Sequence, residues 1–216
     1  MQFRVFLVAV CAVGCAKASE ESRAVDASTG AHADASSQPP GDARADSTVS
    51  GTCQHATSGV VATYSFTSEA GNQTSTAAAS SATGLTAGAV QRSSGLNAVT
   101  GAGSINSSGW PTAAQLDATK YYTFTVMPPS GCTLTLSSVA VDAKASSTGP
   151  TSAAIATSKD SYAGTATMST SAPSTPSLSV NAATGTIEVR IYGWAASSGS
   201  GTFRLQNTLT ISGSLQ

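Results

Sequence analysis

Charged and aromatic residues near the C-terminal end of the chain have the chemistry of a ligand-binding face. They are Glu188, Arg190, Tyr192, Trp194 and Arg204. Guanidinium groups donate hydrogen bonds to sugar hydroxyls and acidic glycans, and tyrosine or tryptophan rings stack on pyranose rings. The cluster therefore predicts a glycan-binding face. The alternative is a face on which Glu188 pairs across strands with one arginine and the tyrosine is partly buried.

These side chains are positioned by two runs in which apolar and polar residues alternate, Ile187 to Tyr192 and Thr202 to Ile211. Such alternation on both sides of a Gly- and Ser-rich stretch predicts two antiparallel strands joined by a loop. Successive side chains of a strand point to opposite faces. We therefore expect the charged residues of the cluster and Tyr192 to share the polar face of neighbouring strands.

The two tryptophans, Trp110 and Trp194, lie in connections that contain glycine. A loop tryptophan either anchors a ligand or covers the open end of a sandwich. Trp110 precedes Pro111 and leads into a strand, which predicts a buried plug. Both roles stay open for Trp194.

The sequence lacks the motifs of common enzyme classes. It contains no Gly-Xaa-Ser-Xaa-Gly motif and no phosphate-binding glycine pattern, and His55 is the one possible catalytic base of the folded part. Glycoside hydrolysis needs only two carboxylates, so the acidic residues are candidates for a glycan-active enzyme. They are Glu69, Asp117, Asp142, Asp160 and Glu188. Because they are spread over separate elements, we expect no catalysis and no cofactor.

Cys53 and Cys132 are the two cysteines that follow the N-terminal segment. In an oxidising compartment such a pair predicts a disulfide, worth about 4 kcal/mol on the chain-entropy model. The alternative is two separate thiols. Zinc would need more ligands than this pair and His55, so we predict no metal site.

Composition excludes one class of partner. The chain of 216 residues has a formal net charge of -1, and 10% of its residues are charged. The six basic residues from Arg92 onward are scattered, whereas nucleic-acid binding needs clustered Lys and Arg. We therefore expect no nucleic-acid partner.

Strand patterns recur through the rest of the chain. Val60 to Thr67 and Tyr121 to Met127 alternate, and the turn residues Pro128 to Gly131 end the second run. Cys132 to Lys144 is predicted to be its hairpin partner, with a bulge near Ser137-Ser138 where the alternation changes parity. Further short strands are expected. Two of them fall between Ser68 and Gly109, a region rich in Ala, Ser, Thr and Gly in which the sequence does not give the pairing of the strands. The short strands are Gly84 to Arg92, Gly101 to Asn106, Ala153 to Thr157, Thr165 to Met168 and Ser177 to Val180.

Seven to nine such strands predict an all-β fold, an antiparallel two-sheet β-sandwich. Several segments also resemble a family of secreted bacterial jelly-roll domains, which occur in cell-surface proteins beside PEP-CTERM or Por-secretion sorting signals. These segments are Gly71-Asn72-Gln73, GSINSSGW from Gly103, KYYTFTV from Lys120, Ser147 to Tyr162, and RIYGWAASSGSGTFRLQN from Arg190. The resemblance implies a jelly-roll-like sandwich over roughly residues 60 to 213 and no assured activity.

One departure from that family bears on metal binding. The family commonly has Arg-Xaa-Asp-Asn in its last strand, where this chain has Arg204-Leu205-Gln206-Asn207. In related modules an acidic residue near this strand helps to hold calcium, an ion that prefers carboxylate oxygens. The neutral amide of Gln206 argues against calcium at this position.

The N-terminal segment has the layout of an export signal, with Arg4 followed by an apolar run. Ala12-Val13-Gly14-Cys15 resembles a bacterial lipobox, so residues 1–14 are predicted to be a lipoprotein signal peptide and Cys15 the lipidated residue. The alternative is an ordinary secretory signal. Residues 15–51 are rich in Ala, Ser and Asp and predict a disordered tether, and residues 52–216 the sandwich domain.

Together these patterns predict a non-catalytic lipoprotein on the outer membrane or cell surface. Its expected partners are the membrane, through the lipid, and either a glycan or an envelope protein. In the alternative the domain is a structural or protein-interaction module with no small ligand, and a glycan-active enzyme is the third possibility. The oligomeric state does not follow from the sequence.

Overall fold

A computed structural model describes residues 52–216, which form two packed β-sheets. The nine-stranded sheet contains β1 (Thr57–Ser65), β2 (Ala70–Gly71), β4 (Ser80–Ser81), β7 (Asn97–Ala98), β8 (Ser104–Ser108), β10 (Leu134–Ala145), β13 (Pro173–Ser174), β14 (Ser177–Ala183) and β16 (Phe203–Leu215). The seven-stranded sheet contains β3 (Ser75–Thr76), β5 (Thr86–Ala87), β6 (Val90–Arg92), β9 (Tyr121–Met127), β11 (Pro150–Thr157), β12 (Ala166–Met168) and β15 (Ile187–Ala196). The predicted signal peptide, Cys15 and the tether lie outside the described residues.

The order of the strands is β13-β10-β16-β1-β4 in the first sheet and β12-β11-β15-β9-β6-β3 in the second. Neighbouring strands are antiparallel, and β2 with β8 forms the one parallel pair among the described residues. The predicted all-β, antiparallel two-sheet sandwich is confirmed. Nothing helical in residues 52–216 is both long enough and apolar enough to cross a membrane, and the one helical turn there is Ser158–Asp160.

The core lies between the sheets and contains the apolar side of each long strand. Tyr122, Phe124 and Val126 of β9 are buried, as their alternation predicts. Trp110 is 1% exposed and packs edge-on against Tyr122 and Phe203, with ring centroids 5.4 and 5.5 Å away. Its role as a buried plug is therefore confirmed.

Bulges adjust which residues of a strand face the core. The register of β10 shifts between Leu136 and Ser138, as predicted. A second shift, between Val60 and Ala62 of β1, turns Val61 and Ala62 inward and leaves Val60 55% exposed. Strict alternation from Val60 to Thr67 predicts Val60 and Ala62 on one face, and this is wrong because the bulge separates them.

Two expectations about neighbouring strands are also wrong. β10 does not pair with β9, because residues 128–133 cross from the seven-stranded to the nine-stranded sheet. β15 and β16 likewise belong to different sheets, and Gly193 of β15 lies against the ring of Phe203 of β16. In both cases the apolar side of a strand is buried equally well against a partner across the sandwich.

The predicted disulfide between Cys53 and Cys132 is confirmed. Their Cα atoms are 4.7 Å apart and 79 residues separate them in the sequence. Cys132 is 4% exposed and belongs to the core. The bond joins the start of the domain to the segment before β10, and it points to an extracytoplasmic location, where disulfides persist.

Candidate functional site

Strand β15 places Glu188, Arg190, Tyr192 and Trp194 on the outer side of the seven-stranded sheet. The alternate residues Ile187, Val189 and Ile191 are 0% exposed and face the core. β9 and β11 flank β15, so their outward side chains are the nearest neighbours of this cluster.

Arg190 is held between two tyrosine rings. Its Cζ lies 4.1 Å from the ring centroid of Tyr121 on β9 and 4.0 Å from that of Tyr162, which follows β11. Its Nε donates to Oε1 of Glu188 at 2.6 Å. The guanidinium is thus fixed by two cation–π contacts and an ion pair.

Glu188 is paired on this face. The hydroxyl of Thr123 also donates to its Oε1, at 3.1 Å. Partial burial raises the pKa of Glu188, but the hydrogen bond and charge of Arg190 outweigh that effect, and the pKa is lowered overall. Burial alone would lower the pKa of Arg190. The hydrogen bond to Glu188 outweighs burial, so the pKa of Arg190 is raised overall.

Tyr162 reaches Arg190 through an unusual turn. Ser161 and Tyr162 both have left-handed backbone, with φ of 58° and 63°. Asp160 stabilises the turn, since its carboxylate accepts the backbone N–H groups of Tyr162 at 3.1 Å and Gly164 at 2.7 Å. Burial and the nearby charge of Glu188 raise the pKa of Tyr162 to about 12.

Tyr192 is 2% exposed, and its ring lies edge-on to Tyr121 with centroids 5.7 Å apart. Burial raises the pKa of its hydroxyl. The burial of Tyr192 and the pairing of Glu188 with an arginine correspond to the alternative that the sequence left open, but the pair forms within β15 and not across strands.

Trp194 lies inside β15, so its placement in a glycine-containing connection is wrong. Its side chain is half-buried on the outer side of the sheet. The next residue, Ala195, has φ 56°, and its N–H donates to the carbonyl of Ala113 at 3.0 Å. The backbone of β15 is therefore irregular directly after the tryptophan.

Arg204 does not join this cluster. It lies on β16 in the nine-stranded sheet, on the outer side of the opposite layer. Its Nε donates to Oε1 of Gln206 at 2.8 Å. The expectation of one shared polar face is wrong, because β15 and β16 are not neighbours.

The amide of Gln206 has a role that a carboxylate could not take. Its Nε2 donates to Oδ2 of Asp142 at 3.1 Å, and Nδ2 of Asn207 donates to the same oxygen at 2.6 Å. An aspartate at position 206 would place a second negative charge beside Asp142. Across residues 52–216 no group of three or more His, Cys, Asp or Glu side chains could hold a metal ion.

The other acidic candidates lie in separate places. Asp117 accepts both the backbone N–H and the hydroxyl of Thr119, and these bonds lower its pKa. Asp160 supports the Tyr162 turn, and Glu69 follows β1 in a connection. His55 lies beside Cys53 at the disulfide end of the sandwich, against Gly84 and Pro129.

Sequence reasoning missed Tyr121, Thr123 and the contact of Tyr162 with Arg190. The alternation of β9 indicates that Tyr121 and Thr123 point outward, but the sequence does not show that β9 pairs with β15. A cavity of about 260 Å³, which Lys159 and Asp160 line, lies on the other side of the Tyr162 turn, and neither Glu188 nor Arg190 lines it.

No protein-family model, curated protein or solved structure matches this chain.

Proposed function

We propose that this chain is a non-catalytic β-sandwich, displayed on the bacterial cell envelope, that binds a protein partner through the outer side of its seven-stranded sheet. We call this surface the aromatic face, and its residues are Tyr121, Tyr162, Glu188, Arg190, Tyr192 and Trp194. One observation carries the proposal. Of the seven tyrosines and tryptophans of the chain, Tyr64, Tyr122 and Trp110 are buried in the core, and the other four lie on this face, where Tyr192 is covered and the remaining three are half-buried.

The chemistry of the aromatic face suits a protein surface. The few residues that dominate binding energy at protein interfaces are enriched in tyrosine, tryptophan and arginine. The stack around Arg190 is already ordered, so little side-chain entropy would be lost on binding. Its two charges neutralise each other, which favours a partner of low local charge.

The same geometry weakens the case for sugar stacking at Arg190. A pyranose stacks on an open ring face, and the guanidinium occupies one of the two faces of Tyr121 and one of Tyr162, which leaves fewer faces for a sugar. Tyr192 is buried. Half-buried Trp194 is the ring that favours glycan binding as a second candidate function.

Display on the envelope is supported by the lipobox-like Cys15, by the composition of residues 15–51 and by the resemblance to secreted jelly-roll domains. The absence of catalysis is supported by the placement of Asp117, Asp142, Asp160 and Glu188 on four separate segments of the fold. A Cys15→Ala variant is expected to leave the membrane fraction for the soluble exported fraction.

The partner is tested by photo-cross-linking in intact cells. A benzophenone amino acid replaces Thr125, which lies beside Glu188 on β9, or, as control, the exposed Lys144 on the opposite sheet. We expect a discrete protein adduct from position 125 alone, lost with Arg190→Ala. Equal adducts from both positions would contradict the proposal. Retention on a glycan array that Trp194→Ala abolishes and Arg190→Ala leaves intact would favour the second candidate.

A further inference from the structure

Arg92 points into the sandwich from its edge. It lies directly opposite Tyr122 in the pairing of β6 with β9, and paired residues share a face of the sheet. Tyr122 is 0% exposed, as is Val90 two residues before Arg92. The guanidinium therefore lies between the two sheets, where β6 of one approaches β2 and β8 of the other.

Neutral oxygens surround this guanidinium. Nε donates to the hydroxyl of Ser107 at 3.1 Å, and Nη2 donates to the carbonyls of Gly71 at 3.0 Å and Asn106 at 3.3 Å. Nη1 donates to the carbonyl of Gln73. No carboxylate in residues 52–216 forms an ion pair with it, since the one such pair there joins Arg190 and Glu188.

We propose that these four oxygens form a cation-binding cage that the protein fills with its own guanidinium, and that would bind a free guanidinium-type cation if the Arg92 side chain were removed. Three backbone carbonyls and a hydroxyl present their negative ends to one planar group. Such dipoles replace the counter-ion that a partly buried charge otherwise needs.

Other bonds hold the cage in place without Arg92. The side chain of Gln73 accepts the N–H of Gly71 at 2.8 Å and donates to the carbonyl of Ser104 at 3.0 Å. Asn106 donates from Nδ2 to the carbonyl of Thr100 at 3.0 Å. Gly71 has φ 97°, and a side chain there would collide with the backbone of Gly101. We therefore expect the backbone that carries these oxygens to keep its position when Arg92 is truncated.

The preferred ligand follows from the shape of the cage. A guanidinium carries its N–H donors in one plane at fixed angles, whereas an ammonium is a compact point charge. Burial lowers the pKa of Arg92, but a guanidinium remains charged at any physiological pH. The inference does not depend on the aromatic face.

The test is chemical rescue of the Arg92→Ala variant of the full chain. We expect a lower Tm than in the wild-type chain. When methylguanidinium is present at ten times its dissociation constant, we expect a rise of about 3 to 6 °C relative to Arg204→Ala in the same solution, because guanidinium salts also weaken folding in general. Methylurea, a neutral planar analogue, should give no rise. The matched control is Arg204→Ala, whose guanidinium contacts the Gln206 side chain at the surface and should show no rescue.

Three results of the rescue experiment would overturn the proposal. They are no rise in the Tm of Arg92→Ala, an equal rise for Arg204→Ala, and an equal rise with methylurea. A larger rise with calcium chloride or methylammonium would overturn the preference for a guanidinium. If Arg92→Ala does not accumulate as folded protein, its refolding yield from urea after dilution, with and without methylguanidinium, gives the same comparison.

Discussion

At the scale of single residues, the two charged side chains of the aromatic face, Glu188 and Arg190, form an ion pair within one strand. Glu188 and Arg190 are two positions apart on β15, so both project from the same side of the sheet. Their side chains are 30% and 21% exposed, which leaves them partly shielded from water. The pair therefore stabilises the face and at the same time removes its net charge.

This pair predicts a pH-dependent coupling. The lowered pKa of Glu188 means that its contribution to stability is present above the unfolded value of about 4.3 and is lost as the pH falls through the folded value. In a double-mutant cycle of Glu188→Gln and Arg190→Gln, we expect a coupling of about 0.5–1 kcal/mol at pH 7. Urea unfolding at pH 7 and pH 3 measures it. Because the folded pKa of Glu188 is lowered, the titration of its carboxyl carbon is followed by NMR, and a coupling that persists unchanged after Glu188 is protonated would show that charge is not its source.

At the scale of elements, the turn after β11 is the most strained part of the aromatic face. Two consecutive residues other than glycine, Ser161 and Tyr162, adopt left-handed backbone to carry the ring over Arg190. Each such residue costs about 1–2 kcal/mol. The bonds to Asp160 and the cation–π contact offset that cost.

Glycine should relieve the strain at Ser161. We expect Ser161→Gly to stabilise the chain by about 0.5–1 kcal/mol, because glycine adopts this conformation freely. The same change at Ser179, an exposed position of extended strand β14, should destabilise it by a similar amount. Thermal unfolding of both variants gives the comparison. Destabilisation by Ser161→Gly would mean that the serine side chain itself supports the turn.

At the scale of the whole molecule, the disulfide restrains the first half of the domain. It closes a loop that contains strands β1 to β9. Cys132 is also packed in the core, so the bond connects the beginning of the described chain to the interior. Most of the stabilisation is expected to come from restriction of the unfolded chain.

Removing the bond should therefore be costly. We expect the Cys53→Ala/Cys132→Ala variant to lose about 4 to 5 kcal/mol of unfolding free energy. Urea unfolding of the variant and of the oxidised wild-type chain measures the difference, and the wild-type chain under reducing conditions should resemble the variant. A loss below about 1 kcal/mol would show that the reduced unfolded chain is already compact.

The sequence by itself determined the local features of this protein. Alternation placed Ile187, Val189 and Ile191 inside and Glu188 and Arg190 outside, and a parity change located the bulge of β10. The presence of two cysteines in the domain predicted the disulfide between Cys53 and Cys132. These inferences succeed because the direction of a side chain depends on its own strand, within a few residues.

Only the tertiary structure decided which strands are neighbours. Alternation looks the same for two strands of one sheet and for two strands that face each other across a core, so it could not separate β15 from β16 or β9 from β10. For that reason Arg204 lies outside the predicted cluster, on the other sheet, and Tyr121 and Tyr162 contact Arg190 instead. The cage around Arg92 likewise depends on segments that meet only when the two sheets pack.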